Sequence, residues 1–260
     1  MYTAKIQNSS GALLNLTQNE SAYQVTSITG LTSAGATVNV TSLAGIAGGV
    51  FNSSHVNTRN IVITLSLCGD IEANRLQLYN YCPEGEKVRL IYSNSIVGEV
   101  YIDGYVDKME CPQFVQNEVA QISIICDYPY FQSTTPSSVS TGSSISFNNP
   151  STVSSGAIFR VSILQSVSSF EITDGSGNSL KFAHPNVPLF FTQGSTININ
   201  TQQAHKSATI TRSGRTSNII SYLVQGSTFF QIVPGQNSFD VTDPNSYRVG
   251  LFYNKTFRGV

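Results

Sequence analysis

Alternation with period two constrains this chain more than any other feature. In RNIVITLSL, Arg59 to Leu67, the residues Ile61, Ile63, Leu65 and Leu67 point one way and Val62, Thr64 and Ser66 the other, because successive side chains of an extended strand leave on opposite faces. Comparable runs read as strands at 86–92, 97–108 and 118–126, then at 158–164, 189–192, 195–201, 207–211, 219–224, 229–233, 237–242 and 247–257. They are short, evenly spaced and separated by Gly, Asn, Pro or Ser, the pattern of a sandwich or barrel. One segment departs from it. In DIEANRLQLYNYC, 70–82, Asp70 is placed to cap the first amides of a helix and Glu72 to meet its positive end. Ile71, Leu78 and Cys82 share a face, and Pro83 and Gly85 stop the run. The fold class expected is mainly β, with one helix inserted near 70–82.

The chain has 260 residues, enough for one large domain or two ordinary ones. In 132–157, 14 of 26 residues are Ser or Thr and none is charged. That composition reads as a linker, although Ile145 and Phe147 alternating with serine mark part of it as an edge strand. Charge reverses across it: residues 1–132 carry 6 basic and 11 acidic groups, and residues 133–260 carry 8 and 4. Two β-rich domains, 1–132 and 133–260, account for this; compositional drift along a single body is the other reading.

Charged residues make up only 11% of the chain, against a usual share of about 25%. Ser, Thr and Asn, numbering 36, 23 and 21, take their place. A surface solvated by hydroxyls and amides suits a component of an assembly. The formal net charge of −1 gives no electrostatic reason for nucleic-acid binding. No apolar run is long enough to span a membrane. The opening MYTAKIQNSSGALLNLTQ lacks a charged head followed by an apolar block, so no export signal is expected. Cys68, Cys82, Cys111 and Cys126 form no C-x-x-C pair. Four reduced thiols are expected, with two disulfides as the alternative.

The residues that carry chemistry elsewhere do not assemble into a motif here. His55, His184 and His205 lie far apart, and none has a ligand at i+4. The glycines of GIAGG, 45–49, lack the Lys-Ser or Lys-Thr of a phosphate loop and read as a turn. Asp174 to Asn178, DGSGN, lacks the alternating acids of a calcium loop and reads as a hairpin turn. Asp103, Asp107 and Glu110 read as solvated positions flanking a strand. No catalytic, cofactor-binding or metal-ligating residue is nominated, and the chain is expected not to be an enzyme.

Several strings do stand in a familiar order. The Gly-rich loop Gly45–Gly49 is followed by Thr58-Arg59-Asn60-Ile61 leading into an alternating strand. Next come the short helix, a hairpin containing Ile102-Asp103-Gly104-Tyr105-Val106, and a strand running into Cys126-Asp127-Tyr128-Pro129-Tyr130-Phe131. The end, Gly250 to Val260, reads GLFYNKTFRGV. In this order the chain resembles the distal tail proteins of long non-contractile-tailed bacteriophages, over most of residues 1–131 and the last dozen or so. No single string is specific, and Gly104 and Pro129 suit any β protein. The resemblance implies a structural virion protein at the tail tip, a hub whose N-terminal domains close a homohexameric ring. Its implied partners are other copies of itself, the tail tube protein, the tail-tip protein and receptor-binding proteins. It also implies a galectin-like β-sandwich for 133–260, and no cofactor, nucleic acid or membrane span.

Two other classes remain open. A carbohydrate-binding or adhesin module needs an aromatic platform, for which Tyr222, Tyr247 and Tyr253 are available, while Phe159, Phe170, Phe182, Phe229 and Phe239 read as core. An enzyme needs two carboxylates or a His–metal cluster converging in a cleft. Lys206, Arg212 and Arg215 read either as a solvated turn or as a basic surface for an acidic partner.

Overall fold

The computed structural model describes residues 2–16, 22–45, 47–113, 119–141, 144–203 and 205–260. The chain divides into two compact bodies, one of residues 1–134 and 257–260, the other of residues 135–256. The last four residues therefore leave the second half, where the sequence division at 132/133 puts them, because Phe257 buries its ring in the first core.

The first body holds β1 (Thr3–Gln7), β2 (Leu13–Asn15), β3 (Tyr23–Thr29), β4 (Ala36–Ser42), β5 (Gly49–Val56), β6 (Arg59–Leu67), α1 (Ile71–Tyr81), β7 (Lys87–Asn94), β8 (Gly98–Glu110), β9 (Val119–Cys126) and β10 (Phe131–Ser133). Seven strands of a nine-stranded sheet run in the order β2-β1-β7-β8-β9-β6-β3, and β10 and one later strand join it off that path. Alternate residues of its strands enter one core, with Ile61, Ile63 and Leu65 of β6 beside Ala120, Ile122 and Ile124 of β9. Strands β9 and β10 use successive stretches of β8: Tyr105 to Glu110 pair with β9, and Val100 and Tyr101 pair with β10. Gly104 lies close to the changeover. A Cβ there would come within 2.6 Å of Ile124 and 2.9 Å of the Cys126 sulfur, so the glycine answers crowding.

The helix forms as its residues dictate. Asp70 Oδ1 accepts the Ala73 N–H at 3.1 Å, and Leu78 and Cys82 are buried. All four cysteines are free. Among the described residues no helix is long and apolar enough to cross a membrane.

The second body holds β11 (Ser137–Thr141), β12 (Ser144–Asn149), β13 (Ile158–Ile163), β14 (Ser169–Asp174), β15 (Ser179–Ala183), β16 (Thr196–Asn200), β17 (Ser207–Arg212), β18 (Arg215–Asn218), β19 (Gly235–Val241) and β20 (Tyr247–Tyr253); β21 (Thr256–Phe257) then returns to pair with β10. Two antiparallel sheets, β11-β20-β13-β16-β17-β18 and β12-β19-β14-β15, share one core and make a β-sandwich. Phe159 of one sheet meets Phe239 of the other at 5.3 Å between ring centroids. The Ser/Thr-rich stretch is no loose linker, since it supplies β11 and β12, each at the edge of its sheet.

Three expected strands do not form. At 189–192, Leu189 takes a φ of 50°, outside the extended region, and only Phe191 bridges to Val167. At 219–224, the Asn218 side chain accepts the Ile220 N–H and starts the 3-10 turn Ile220–Tyr222. At 229–233, only Ile232 bridges, to Ser155, before the Asn237 amide takes over the Val233 backbone. Glu118 and Ile46, which begin an expected strand and sit in the Gly-rich loop, lie outside the described residues.

Candidate assembly surfaces

In the first body, β4 and β5 form a ribbon, a two-stranded sheet that joins no other strand among the described residues. Register fixes its two faces, because residues opposite one another in an antiparallel pair share a face. Ala36, Val38 and Val40 stand opposite Val56, Ser54 and Phe51, and Asn52 is the extra residue of a bulge. That face is apolar and open: Val38 is 57% exposed, Val40 54% and Phe51 61%. The other face is polar and internally bonded. The Asn39 amide donates to Ser53 Oγ at 2.9 Å, and Thr37 Oγ1 to Asn57 Oδ1 at 2.9 Å. Gly45 and Gly48, with φ of 80° and 91°, lie in the turn between the strands. A two-stranded ribbon alone is marginal in water, and contiguous exposed apolar surface marks an interaction site.

Two shallow hollows of about 400 Å³ open on the surface. In the second body, one is lined by Glu171, Lys181, Asp243 and Tyr247 among others. Its carboxylates are both engaged. The Ser179 hydroxyl and then Lys181 hold Glu171 below the usual carboxylate range, and Ser246 does the same for Asp243. Neither is a carboxylic acid poised to give up a proton near neutrality. In the first body, a second hollow is lined by Asn8, Ser9, Lys87, Arg89 and Asp103. Asp103 is not the solvated flank expected of it: Arg89 contacts it at 2.6 and 3.0 Å and Lys87 at 3.1 Å. Burial raises its pKa, but these hydrogen bonds and charges outweigh burial and leave it lowered. Asp107 and Glu110 are exposed as expected. Among the described residues no three His, Cys, Asp or Glu side chains gather to hold a metal.

The other singled-out residues scatter. His55 lies exposed on β5 and His205 is exposed in the second body. His184 packs 4.4 Å from the Phe190 ring and 4.5 Å from that of Tyr222, its Nδ1 accepting the N–H groups of Asn186 and Val187. Of the three candidate platforms, Tyr247 and Tyr253 are buried, and only Tyr222 keeps a part-open ring. Of the basic trio, Arg212 and Arg215 stand opposite one another across the β17–β18 hairpin, and Lys206 lies apart from them. Arg212 lies over the Phe190 ring at 4.0 Å, Lys206 over that of Phe229 at 5.3 Å, and Arg215 is exposed. Phe159, Phe170, Phe182 and Phe239 are core, whereas Phe229 is only half-buried and its neighbour Phe230 takes the interior place. DGSGN is the β14–β15 turn, Asp174 Oδ1 accepting the N–H groups of Ser176 and Asn178.

The ribbon is the candidate surface that the sequence reading did not foresee. Its signal, ATVNVTS and GVFNSSHV flanking the glycines, is alternation in which the apolar face is thin and interrupted by serine.

Fold and surface together define a class: an antiparallel β protein of two bodies, built around packing and carrying an unpartnered amphipathic ribbon. Residues 150–257 match the family model described as siphovirus-type tail component, C-terminal domain. The whole fold is similar to the crystal structure of SPP1 Dit, described as a paradigm of the hub adsorption apparatus in phages infecting Gram-positive hosts. The TM-score is 0.75 at 13% identity, covering 96% of this chain and 98% of that one. It is also similar to a chain of the phage P2 baseplate in its activated conformation with Ca, with TM-score 0.54, 12% identity and coverage of 97% and 98%. The curated protein sequences give no match. The resemblance read from the sequence therefore stands. Residues 150–257 match the siphovirus-type tail component C-terminal domain, and the chain as a whole shares its fold with the SPP1 Dit hub protein.

Proposed function

We propose that this chain is a structural hub of the virion, placed at the distal end of a phage tail. Copies of it close a homohexameric ring through their first bodies. The ring continues the tail tube and carries the tail-tip protein and the receptor-binding proteins. Its work is mechanical and organisational, and no reaction is assigned to it. The two bodies act as separate domains, the first forming the ring and the second serving as a docking or spacer module.

The amphipathic ribbon carries this reading. A closed ring of identical subunits needs two different surfaces on each copy, one offered and one receiving. The apolar face of Val38, Val40 and Phe51 is a surface to offer, and its two unpaired edges supply backbone groups for pairing with a neighbour. The family match and the hub structures support the location.

The test is native mass spectrometry of the full chain over a concentration series, together with images of tail tips carrying a labelled copy. Six-subunit species and a sixfold ring at the distal end are expected. A chain that stays monomeric at every concentration, with label along the shaft or on the capsid, would overturn the reading.

A further inference from the structure

The root of the ribbon is held in an unusual way. Between β3 and β4 the chain runs through residues 30–35, which pair with no strand among the described residues. Three successive carbonyls in this stretch are nevertheless taken. Arg59 Nη1 donates to the oxygens of Gly30 and Thr32, and the Val260 N–H donates to Leu31 at 3.0 Å. The same guanidinium reaches the Pro129 oxygen through Nε at 2.7 Å and the Arg258 oxygen through Nη2. Arg59 is 3% exposed and lies over the Phe131 ring at 4.8 Å. Its hydrogen bonds go to four backbone carbonyls, so four dipoles balance a buried cation. Burying a charge in this way is costly unless each donor finds a partner, and the fan of N–H groups on arginine suits four acceptors as a lysine ammonium does not.

Arg59 is also the first residue of β6, two positions beyond Asn57, whose N–H closes the ribbon on the Gly35 oxygen at 2.9 Å. Both strands of the ribbon therefore enter the first body at this guanidinium. The closing segment lies against the same spot: a Cβ on Gly259 would sit 3.0 Å from the Leu31 oxygen and 3.1 Å from the Ser33 nitrogen.

We propose that Arg59 and the segment Phe257–Val260 form a clasp that fixes the direction in which the β4–β5 ribbon leaves the first body, with Arg59 as a positioning residue for assembly. Without the clasp, the carbonyls of residues 30–32 lose their partners, and the ribbon, closed on itself at Asn57 and Gly35, is left tethered to the sheet by its two covalent legs. Its use in presenting the apolar face to a neighbour rests on the ring reading; the clasp itself does not.

Hydrogen exchange followed by mass spectrometry on the full chain separates the two. Arg59→Lys removes the fan of donors, and Gly259→Val wedges the closing segment away without touching the guanidinium. In both variants, exchange in peptides covering residues 28–58 should quicken about tenfold or more, while peptides of β7, β8 and the second body stay unchanged. Native mass spectrometry on the same samples should show six-subunit species lost. Unchanged exchange over 28–58 in both variants, or equal quickening in every peptide, would overturn the clasp. Quickened exchange beside an unaltered chain that never assembles would sustain the clasp and refute the ring.

Discussion

Replacing Phe51 with serine tests the ribbon most directly. The ring is 61% exposed on the apolar face and absent from the core of the first body. A free aromatic side chain offers about 200 Å², so about 120 Å² remains to be covered, and at about 25 cal/mol per Å² its burial against a neighbour is worth about 3 kcal/mol. Ordering and imperfect desolvation at an interface reduce that, and about 2–3 kcal/mol per contact is the range of a central anchor. Each subunit contact should weaken about 30- to 150-fold. The folded single chain should hardly notice, with a change within about 0.5 kcal/mol as for other surface substitutions. Sedimentation velocity across a dilution series reads the first quantity and thermal unfolding of the dilute chain the second. Val50→Ser supplies the control: Val50 is 52% exposed but pairs with Thr41 on the opposite face. The face assignment is refuted if Phe51→Ser leaves association untouched, or if Val50→Ser costs as much.

In the second body, Phe159→Ala empties a site at 0% exposure between the rings of Phe230 and Phe239; a loss of about 3–5 kcal/mol is expected in denaturant unfolding, and a loss under about 1 kcal/mol would mean that the sandwich core is not packed as described. Burial pushes the thiols of Cys82 and Cys126 up to about 12, so at pH 8 the native chain should alkylate them far more slowly than Cys68, a site-resolved mass measurement that fails if all react alike. Asp103 has a depressed pKa in the fold, so its ion cluster stabilises the chain above the unfolded carboxylate value of about 3.9 and is lost as pH falls through the folded value. Asp103→Asn should cost about 1 kcal/mol or less at pH 7, since Lys87 and Arg89 stay part-solvated, and the difference from the unaltered chain should vanish in acid; a difference that grows in acid contradicts the sign. With Tyr247 and Tyr253 buried, a glycan array should find no saccharide ligand, and a hit lost on changing Tyr222 would restore the adhesin reading.

What was legible in the sequence followed burial on one face. Strand β6 and helix α1 were plain because Ile61, Ile63 and Leu65 alternate cleanly and because Asp70, Pro83 and Gly85 punctuate the helix. Strands β14 and β15 are absent from the sequence reading although Phe170, Ile172, Leu180 and Phe182 alternate, each strand offering two large apolar residues among polar ones. The false strands at 189–192, 219–224 and 229–233 are apolar without being extended. Phe191, Ile219 and Phe230 fill the sandwich from loops, and an apolar run records burial rather than backbone direction. The ribbon was hidden for the opposite reason, since its apolar face stays more than half exposed at Val38, Val40 and Phe51 and enters no core among the described residues.

Contacts between residues far apart in sequence leave no periodic trace. Nothing in Arg59 announces a buried cation. Its neighbours look like the start of an ordinary strand, and its acceptors at Gly30, Thr32, Pro129 and Arg258 are backbone atoms that any residue provides. The return of residues 257–260 changes the charge picture as well. Counted by body, the first carries 7 basic and 11 acidic groups and the second 7 and 4, so moving Arg258 narrows the contrast without reversing it. The scarcity of charge then bears on the ribbon. Apart from Val50 and His55, its polar face is made of Asn, Thr and Ser bonded to one another, groups that keep their hydrogen bonds when water leaves. Ionised side chains in their place would each have to be desolvated at a cost of several kcal/mol. A ribbon built from amides and hydroxyls can be covered on both faces by neighbouring copies, and the same residues keep it soluble before they arrive.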